Sequence, residues 1–265
     1  MEGTIEKVEK QIEQEENKRN KETKPKEYFL KRWKEEKLKE AMKYIKPIKR
    51  EGKWSYELDY KKVKQFLVKT TKELYNLLKY DHRRRVYTLY WKYNLFLFVA
   101  VTQIINGGRA SEIFEAVLKY LENYKKTRKK KDNIVYVYAK KRKQSYIREV
   151  RIAEKYFDAE FLLYLATHPK IEEFNKVFLF WEGNKEEQRK EIKRIVSTYT
   201  QFLESTFGFS SHALRHALIT YLGSKGVAPQ IIAKITGHSR VDYVIRYTEE
   251  KKASEILEQL YKDEF

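Results

Sequence analysis

From Arg83 to Ile105 the chain carries one helical pattern that turns apolar on most of its faces towards its end, through Leu95-Phe96-Leu97-Phe98-Val99-Ala100-Val101. A helix without a polar face must be enclosed by other elements, so this segment is expected to be buried. Its apolar stretch is too short to span a bilayer, which takes about 20 residues. Gly107-Gly108 stops the run.

The flanking segments supply helices to enclose it. Phe29, Leu30, Trp33, Leu38, Met42 and Ile45 recur at helical intervals until Pro47 and Gly52 end the pattern. A second pattern runs from about Asp59 to Leu78 through Val63, Phe66, Leu67, Leu74 and Leu77. After the glycine pair, Ser111 is positioned to cap a helix bearing Ile113, Phe114, Val117 and Leu118. Two strand-like runs, Ile134–Tyr138 and Tyr146–Ile152, flank Lys140-Lys141-Arg142-Lys143 as a β-hairpin would flank a basic tip. Helical patterns return near Asp158–Thr167 and Lys185–Thr206, with Val177–Trp181 read as a third strand or a buried loop. Pro229 opens a helix, Gly237 closes it, and Ser239 can cap the next. Ala253, Ile256, Leu257, Leu260 and Tyr261 make a final apolar stripe. The expected architecture is mainly α with a small β-hairpin or three-stranded sheet. It divides into a charged flexible arm (1–26), a short helical region (27–78) and a main domain (79–265), with the boundary at a composition change near residues 75–80.

Charge narrows the partners. The chain has 57 Lys and Arg against 38 Asp and Glu, a formal net charge of +19. A thermally robust surface explains many charges of both signs, but a one-sided excess calls for a polyanion, nucleic acid before membrane. The basic run containing Lys125, Lys126, Arg128 and Lys129, with the hairpin tip Lys140, Lys141 and Arg142, suits phosphate contact. The absence of cysteine rules out disulfides and thiolate metal sites. With no export signal at the N-terminus and no apolar span, an intracellular, cytoplasmic setting is expected.

His212 and His216 lie four apart on a helical pattern and His238 follows, but the metalloprotease signature needs Glu after the first histidine, and Ala213 stands there. Ser239 has no Gly-x-Ser-x-Gly elbow, and neither a Gly-x-x-x-x-Gly-Lys nor a Gly-x-Gly-x-x-Gly loop occurs. A phosphodiester under attack gathers negative charge on its non-bridging oxygens, and two guanidiniums can clamp it at any working pH. Arg109 and Arg215 suit that task. A tyrosine phenol, with an ordinary pKa of about 10, needs such a cationic pocket to act as nucleophile. Tyr247 can supply it, a hairpin lysine can protonate the leaving oxygen, and the histidines can donate to the phosphate or move protons. No metal or cofactor is required.

In order along the chain, Gly108-Arg109-Ala110-Ser111-Glu112-Ile113, His212-Ala213-Leu214-Arg215-His216, Thr236-Gly237-His238-Ser239 and Tyr247 resemble the motifs of the tyrosine recombinase family, which includes phage-type integrases and Xer recombinases. The resemblance covers about 140 residues, and Tyr247 falls nine past His238 (247 − 238), the spacing the family favours. It implies a pocket of Arg109, His212, Arg215 and His238, with Glu112 supporting Arg109 and Tyr247 becoming a 3′-phosphotyrosine. It puts Lys143 in the place of the catalytic lysine, with Lys140 and Lys141 as rivals, since Gln144 replaces the family's usual glycine. Tyr243 is a rival nucleophile with the wrong spacing. The partner implied is double-stranded DNA, the working unit a homotetramer on two sites, with the C-terminal stripe docked in trans. The region 27–78 becomes a reduced form of the family's N-terminal DNA clamp. Two other readings fit the same residues: a type IB topoisomerase-like enzyme that reseals the strand it cuts, and a non-catalytic DNA-binding protein.

Overall fold

The computed structural model describes residues 30–50, 53–78, 84–129, 133–139, 147–238, 241 and 244–245. Helix α1 covers residues 30–42. A hairpin of β1 (Ile45–Arg50) and β2 (Lys53–Leu58) follows, antiparallel, with Ile45 opposite Leu58. Next come α2 (Tyr60–Leu78), α3 (Arg84–Asn106) and α4 (Ala110–Thr127). A second antiparallel hairpin pairs β3 (Ile134–Tyr138) with β4 (Ile147–Arg151). A short 3-10 turn (Ala153–Tyr156) then leads into α5 (Ala159–Thr167), α6 (Ile171–Phe178), α7 (Lys185–Phe207), α8 (Ser211–Ser224) and α9 (Pro229–Thr236).

The apolar run in α3 is central, as its composition requires. Every residue from Leu95 to Val101 is buried, and α3 packs against α2, α4 and α8. Around it, Phe96, Phe114, Tyr199 and Phe202 meet edge-on or tilted. Each large side chain so buried contributes about 1.5–3 kcal/mol. One core cluster runs from Trp33 to Ala217, so the change near residues 75–80 falls between α2 and α3 with no break in the core beneath it. By contrast α9 rests on α8 through a small separate cluster of Ile219, Ile232, Ala233 and Val244.

Three local expectations are corrected. The helix of residues 30–42 is followed by a strand pair that the pattern around Pro47 and Gly52 concealed: Pro47 lies within β1, opposite Tyr56, which a strand with no outer neighbour among the described residues tolerates. Ser111 is inside α4, whose N-cap is Arg109; the helix starts two residues sooner (111 − 109) than a Ser111 cap would place it. Val177–Trp181 is no strand: Val177 and Phe178 finish α6, and the remainder is irregular. The sheet structure among the described residues is two separate two-stranded hairpins.

On the second hairpin the inward face holds Val137, Arg148 and Val150, all buried, while Tyr136, Tyr138 and Ile147 are exposed. Alternation of this kind is what a half-buried hairpin demands. Residues 1–26, the tip residues Lys140, Lys141, Arg142 and Lys143, Ser239, Tyr243, Tyr247 and the stripe from Ala253 to Tyr261 lie outside the described residues. No helix among the described residues is long and apolar enough to cross a membrane.

Candidate active site

The turn carrying Arg109 is fixed from behind. Tyr199 on α7 donates to Gln103 Oε1 at 2.7 Å, and Gln103 Nε2 donates to the Gly108 carbonyl at 3.0 Å. Asn106, at the end of α3, engages the backbone of β4 on both sides: its Nδ2 donates to the Arg151 carbonyl and its Oδ1 accepts from the Arg151 amide, each at 2.8 Å. Gly107 adopts φ +57, and a Cβ there would meet Thr236 Cγ2 at 2.8 Å. The glycine pair therefore serves both a left-handed turn and a close approach to α9.

Arg109 caps α4 and stays partly exposed. Its Nη1 pairs with Glu112 Oε1 at 3.0 Å, and the Glu112 carboxyl is fully buried. The other oxygen, Oε2, accepts from Arg148 Nη1 at 3.0 Å. Buried carboxylates persist only when paired and hydrogen-bonded, and here two guanidiniums share one.

Helix α8 brings the second motif. Ser210 caps it, accepting from the Ala213 amide, which puts His212 in the first turn and Arg215 one turn further in. Arg215 is 3% exposed, and its Nη1 is buried without a hydrogen-bond partner among the described residues. Burial, then the charge of Arg109, lower its pKa to about 10; Glu112 opposes them, and Arg148 adds a smaller push downward. It remains a cation at neutral pH. His212 keeps an exposed face, and its ring meets His216 edge-on at 4.3 Å between centroids. Partial desolvation, then Arg215 and Arg109, lower its pKa.

Helix α9 begins with Pro229 at its first turn and ends at Gly237, φ +75, a left-handed stop suited to glycine. His238 follows, with Nδ1 2.7 Å from Thr236 Oγ1. The Thr236 hydroxyl donates to the Ile232 carbonyl at 2.7 Å. A carbonyl can only accept, so the hydroxyl proton is committed there and His238 Nδ1 must carry the hydrogen between ring and hydroxyl. The neutral ring then has its lone pair on Nε2. Desolvation, followed by Arg215, Arg109, His212 and Arg148, lowers the His238 pKa to about 3. Arg109, His212, Arg215 and His238 are thus brought together, close enough for their charges to oppose one another.

A consequence for pH follows. Between pH 6.5, the ordinary value, and about 3 the unfolded chain binds a proton at His238 that the folded chain refuses. Stability contributed at this site is therefore intact above pH 6.5 and declines as pH falls through that window. A bound anion offsets the surrounding positive charge. In NMR titrations of the histidine ring signals, saturating inorganic phosphate is expected to raise the His238 midpoint by about one pH unit or more. A midpoint indifferent to phosphate would show that the cationic cluster takes no anion.

Of the expected DNA-contact residues, Lys125 reaches Glu172 at 2.6 Å, Lys126 reaches Glu122 at 3.1 Å, Arg128 closes α4 with φ 53, and Lys129 is exposed. Arg148 is the residue that motif reading missed. Its sequence signal is parity: in β4 it shares a face with Val150, so an arginine had to point into the core.

Comparison with known proteins now decides the family. The phage integrase family model matches residues 70–254, well over half the chain. The chain belongs to the phage integrase family. Among its relatives, a protein of the Acidianus two-tailed virus named as a candidate integrase (ORF241) is 28% identical over 226 residues, covering 84% of this chain and 75% of its own. The uncharacterized protein MJ0770 of Methanocaldococcus jannaschii is 30% identical over 217 residues, covering 80% and 91%. Among solved structures, the Tn1549 transposon integrase (residues 82–397) in complex with circular intermediate DNA matches at 18% identity and TM-score 0.27, over 60% of this chain and 59% of that one. That superposition is too loose to carry residues across. The membership fits the mainly helical architecture with its small antiparallel hairpins.

Proposed function

We propose that this integrase-family chain is a site-specific DNA recombinase that cuts and rejoins strands through a phosphotyrosine at Tyr247. The observation that carries the reading is Arg215: a buried guanidinium whose Nη1 has no hydrogen-bond partner among the described residues, set beside Arg109, His212 and His238. A buried cation so arranged costs several kcal/mol unless an anion completes it. A DNA phosphate fits, because two guanidiniums match its oxygens bidentately and neutralise the charge that grows during attack.

In the reaction, the Tyr247 oxygen attacks phosphorus and the bond to the 5′-oxygen breaks. A neutral His212 can take the phenol proton, and Lys143, or its neighbours Lys140 and Lys141, gives one to the departing oxygen. The 3′-phosphotyrosine keeps the bond energy until a 5′-hydroxyl from a second strand reverses the step. Val244, three residues before Tyr247 in the sequence (247 − 244), is buried against α8 and α9, which supports the reading. Lys125, Lys126, Arg128, Lys129, Lys140, Lys141 and Arg142 would meet the backbone phosphates, and residues 27–78 would act as a reduced clamp. Four protomers on two DNA sites, with the C-terminal stripe docked in trans, would be the working assembly.

The test uses duplexes selected from a random library by binding to the protein, then nicked so that the released strand cannot religate. A covalent adduct that maps to the Tyr247 peptide, followed by strand exchange between two sites, is expected. Cleavage with supercoil relaxation but no exchange would favour the topoisomerase-like reading. Tight binding with no adduct would leave a DNA-binding protein and overturn the proposal.

The His238 ring gives a graded check. Thr236→Val removes the hydroxyl that accepts from Nδ1 while keeping the shape of the side chain. Losing a hydrogen bond of about 1 kcal/mol frees the tautomer and should slow single-turnover adduct formation about fivefold to tenfold, with DNA affinity within about twofold. An unchanged rate would mean the tautomer is held by something else.

A further inference from the structure

The strongest unassigned feature is the environment of Arg148. This side chain is 2% exposed and lies on the core face of β4. Its Nη1 donates to Glu112 Oε2 at 3.0 Å and to the Thr236 carbonyl at 3.2 Å. Its Nη2 donates to the Asn106 carbonyl at 2.9 Å and the Ile235 carbonyl at 2.8 Å. One guanidinium therefore joins the end of α3, the first turn of α4 and the last turn of α9. Two carbonyls at the C-terminal end of α9 face it, where a cation also meets the negative end of the helix dipole.

The glycine before Arg109 is explained by the same group. A Cβ on Gly108 would come within 2.7 Å of Arg148 Nη1 and of Ile113 Cδ1. A Cβ on Gly237 would lie 3.6 Å from Arg148 Nη1. Gly108 thus leaves room for a side chain outside its own motif, while Gly237, in ordinary contact distance of Arg148, is required by its φ of +75.

We infer that Arg148 is a positioning residue: it fastens the His238-bearing end of α9 to the Arg109 turn, and by neutralising Glu112 it leaves Arg109 available to a DNA phosphate. The inference rests on the recombinase reading given above. Two observations make the fastening necessary. Helix α9 is attached to α8 by the small cluster of Ile219, Ile232, Ala233 and Val244, apart from the main core, so apolar packing alone holds it weakly. Glu112 is fully buried with each oxygen assigned to a different guanidinium. Without Arg148, Oε2 loses its guanidinium, and a buried carboxylate draws the other of its two cations, Arg109, more strongly towards itself. Arg109 would then turn from the substrate to Glu112. Charge counting among the described residues agrees: three guanidiniums (Arg109, Arg148, Arg215) against one carboxylate leave two positive charges to meet the phosphate.

Two variants test this, each first checked for a cooperative thermal transition. Arg148→Met keeps the length and removes the charge. Gly108→Ala keeps Arg148 but forces its guanidinium aside, with an ordinary backbone conformation for alanine. In both, single-turnover adduct formation at saturating selected duplex should fall about 100-fold, while duplex affinity changes less than about threefold. Adding Glu112→Gln to Arg148→Met should recover at least tenfold of the lost rate, because the carboxylate that captures Arg109 is gone; a merely structural arginine would not be rescued by removing its partner. A near wild-type rate in Arg148→Met, an absent rescue, or unfolding of both single variants would each overturn the inference. If the wild-type protein forms no adduct, the recombinase reading falls, and Arg148 is judged by the inorganic-phosphate titration of His238 alone. A phosphate-linked shift unchanged in Arg148→Met, or in Gly108→Ala, would then reject it.

Discussion

Tyr247→Phe should bind the selected duplex as the wild-type protein does and form no covalent adduct with it. The substitution removes one oxygen and keeps the ring, so packing and net charge at neutral pH are unchanged. What disappears is the atom that attacks phosphorus. The prediction is near-total because the rest of the pocket cannot substitute for a missing nucleophile: Arg109 and Arg215 stabilise charge that develops only once an oxygen attacks. The neighbouring tyrosine, Tyr243, lies four residues earlier (247 − 243), only five past His238 (243 − 238) where the family favours nine. Adduct measured on denaturing gels after extended incubation of the nicked duplex should therefore stay at background for Tyr247→Phe and be near normal for Tyr243→Phe. An adduct that survives in the first and vanishes in the second would transfer the role to Tyr243. One that survives both would direct attention away from tyrosine at this end of the chain.

How much of this was visible in the sequence depends on what each residue had to do. The buried centre of α3 was legible because Leu95 to Val101 has no polar face to offer solvent. Arg109, His212, Arg215 and His238 were legible as motifs, although only folding reveals that Gln103 and Tyr199 hold the Arg109 turn from α3 and α7. The β1–β2 hairpin was not read, since Pro47 and Gly52 look like ends of a helix more than parts of a strand pair. Trp54, Tyr56 and Leu58 do alternate, and that alternation was the available signal. Val177–Trp181 failed for another reason: a short apolar run carries no period long enough to separate strand from helix, and packing against α4 and α7 decided for α6. Arg148 was hidden by composition. Among 57 Lys and Arg one more arginine on a basic hairpin reads as surface charge, and only its shared parity with Val150 and Ile152 marks it as inward.

Arg215→Met should make the protein more stable and leave it unable to cut DNA. In the free protein Arg215 is 3% exposed and its Nη1 lacks a hydrogen-bond partner among the described residues. Arg109 and Arg148 both repel it, and among the described residues only Glu112, already engaged by those two, attracts it. Methionine fills much of the same volume with apolar atoms and removes the desolvated charge, a kind of exchange that gains about 1–4 kcal/mol elsewhere. For a chain of this size each kcal/mol moves the thermal midpoint by about 2–4 °C, so a rise of several degrees is expected by calorimetry at pH 7. Cleavage should fall about 1000-fold or more, since the lost group is a charged bidentate donor to the phosphate. Arg215→Lys should not restore it, because an ammonium offers one point of charge where a planar fork is needed. The pairing of the two effects is the informative part. A residue kept for packing would lose stability on replacement and spare cleavage in proportion to what remains folded. A residue kept for a phosphate does the opposite, holding an uncomfortable charge in place until DNA arrives. A less stable Arg215→Met protein that still cuts would contradict this account of the pocket.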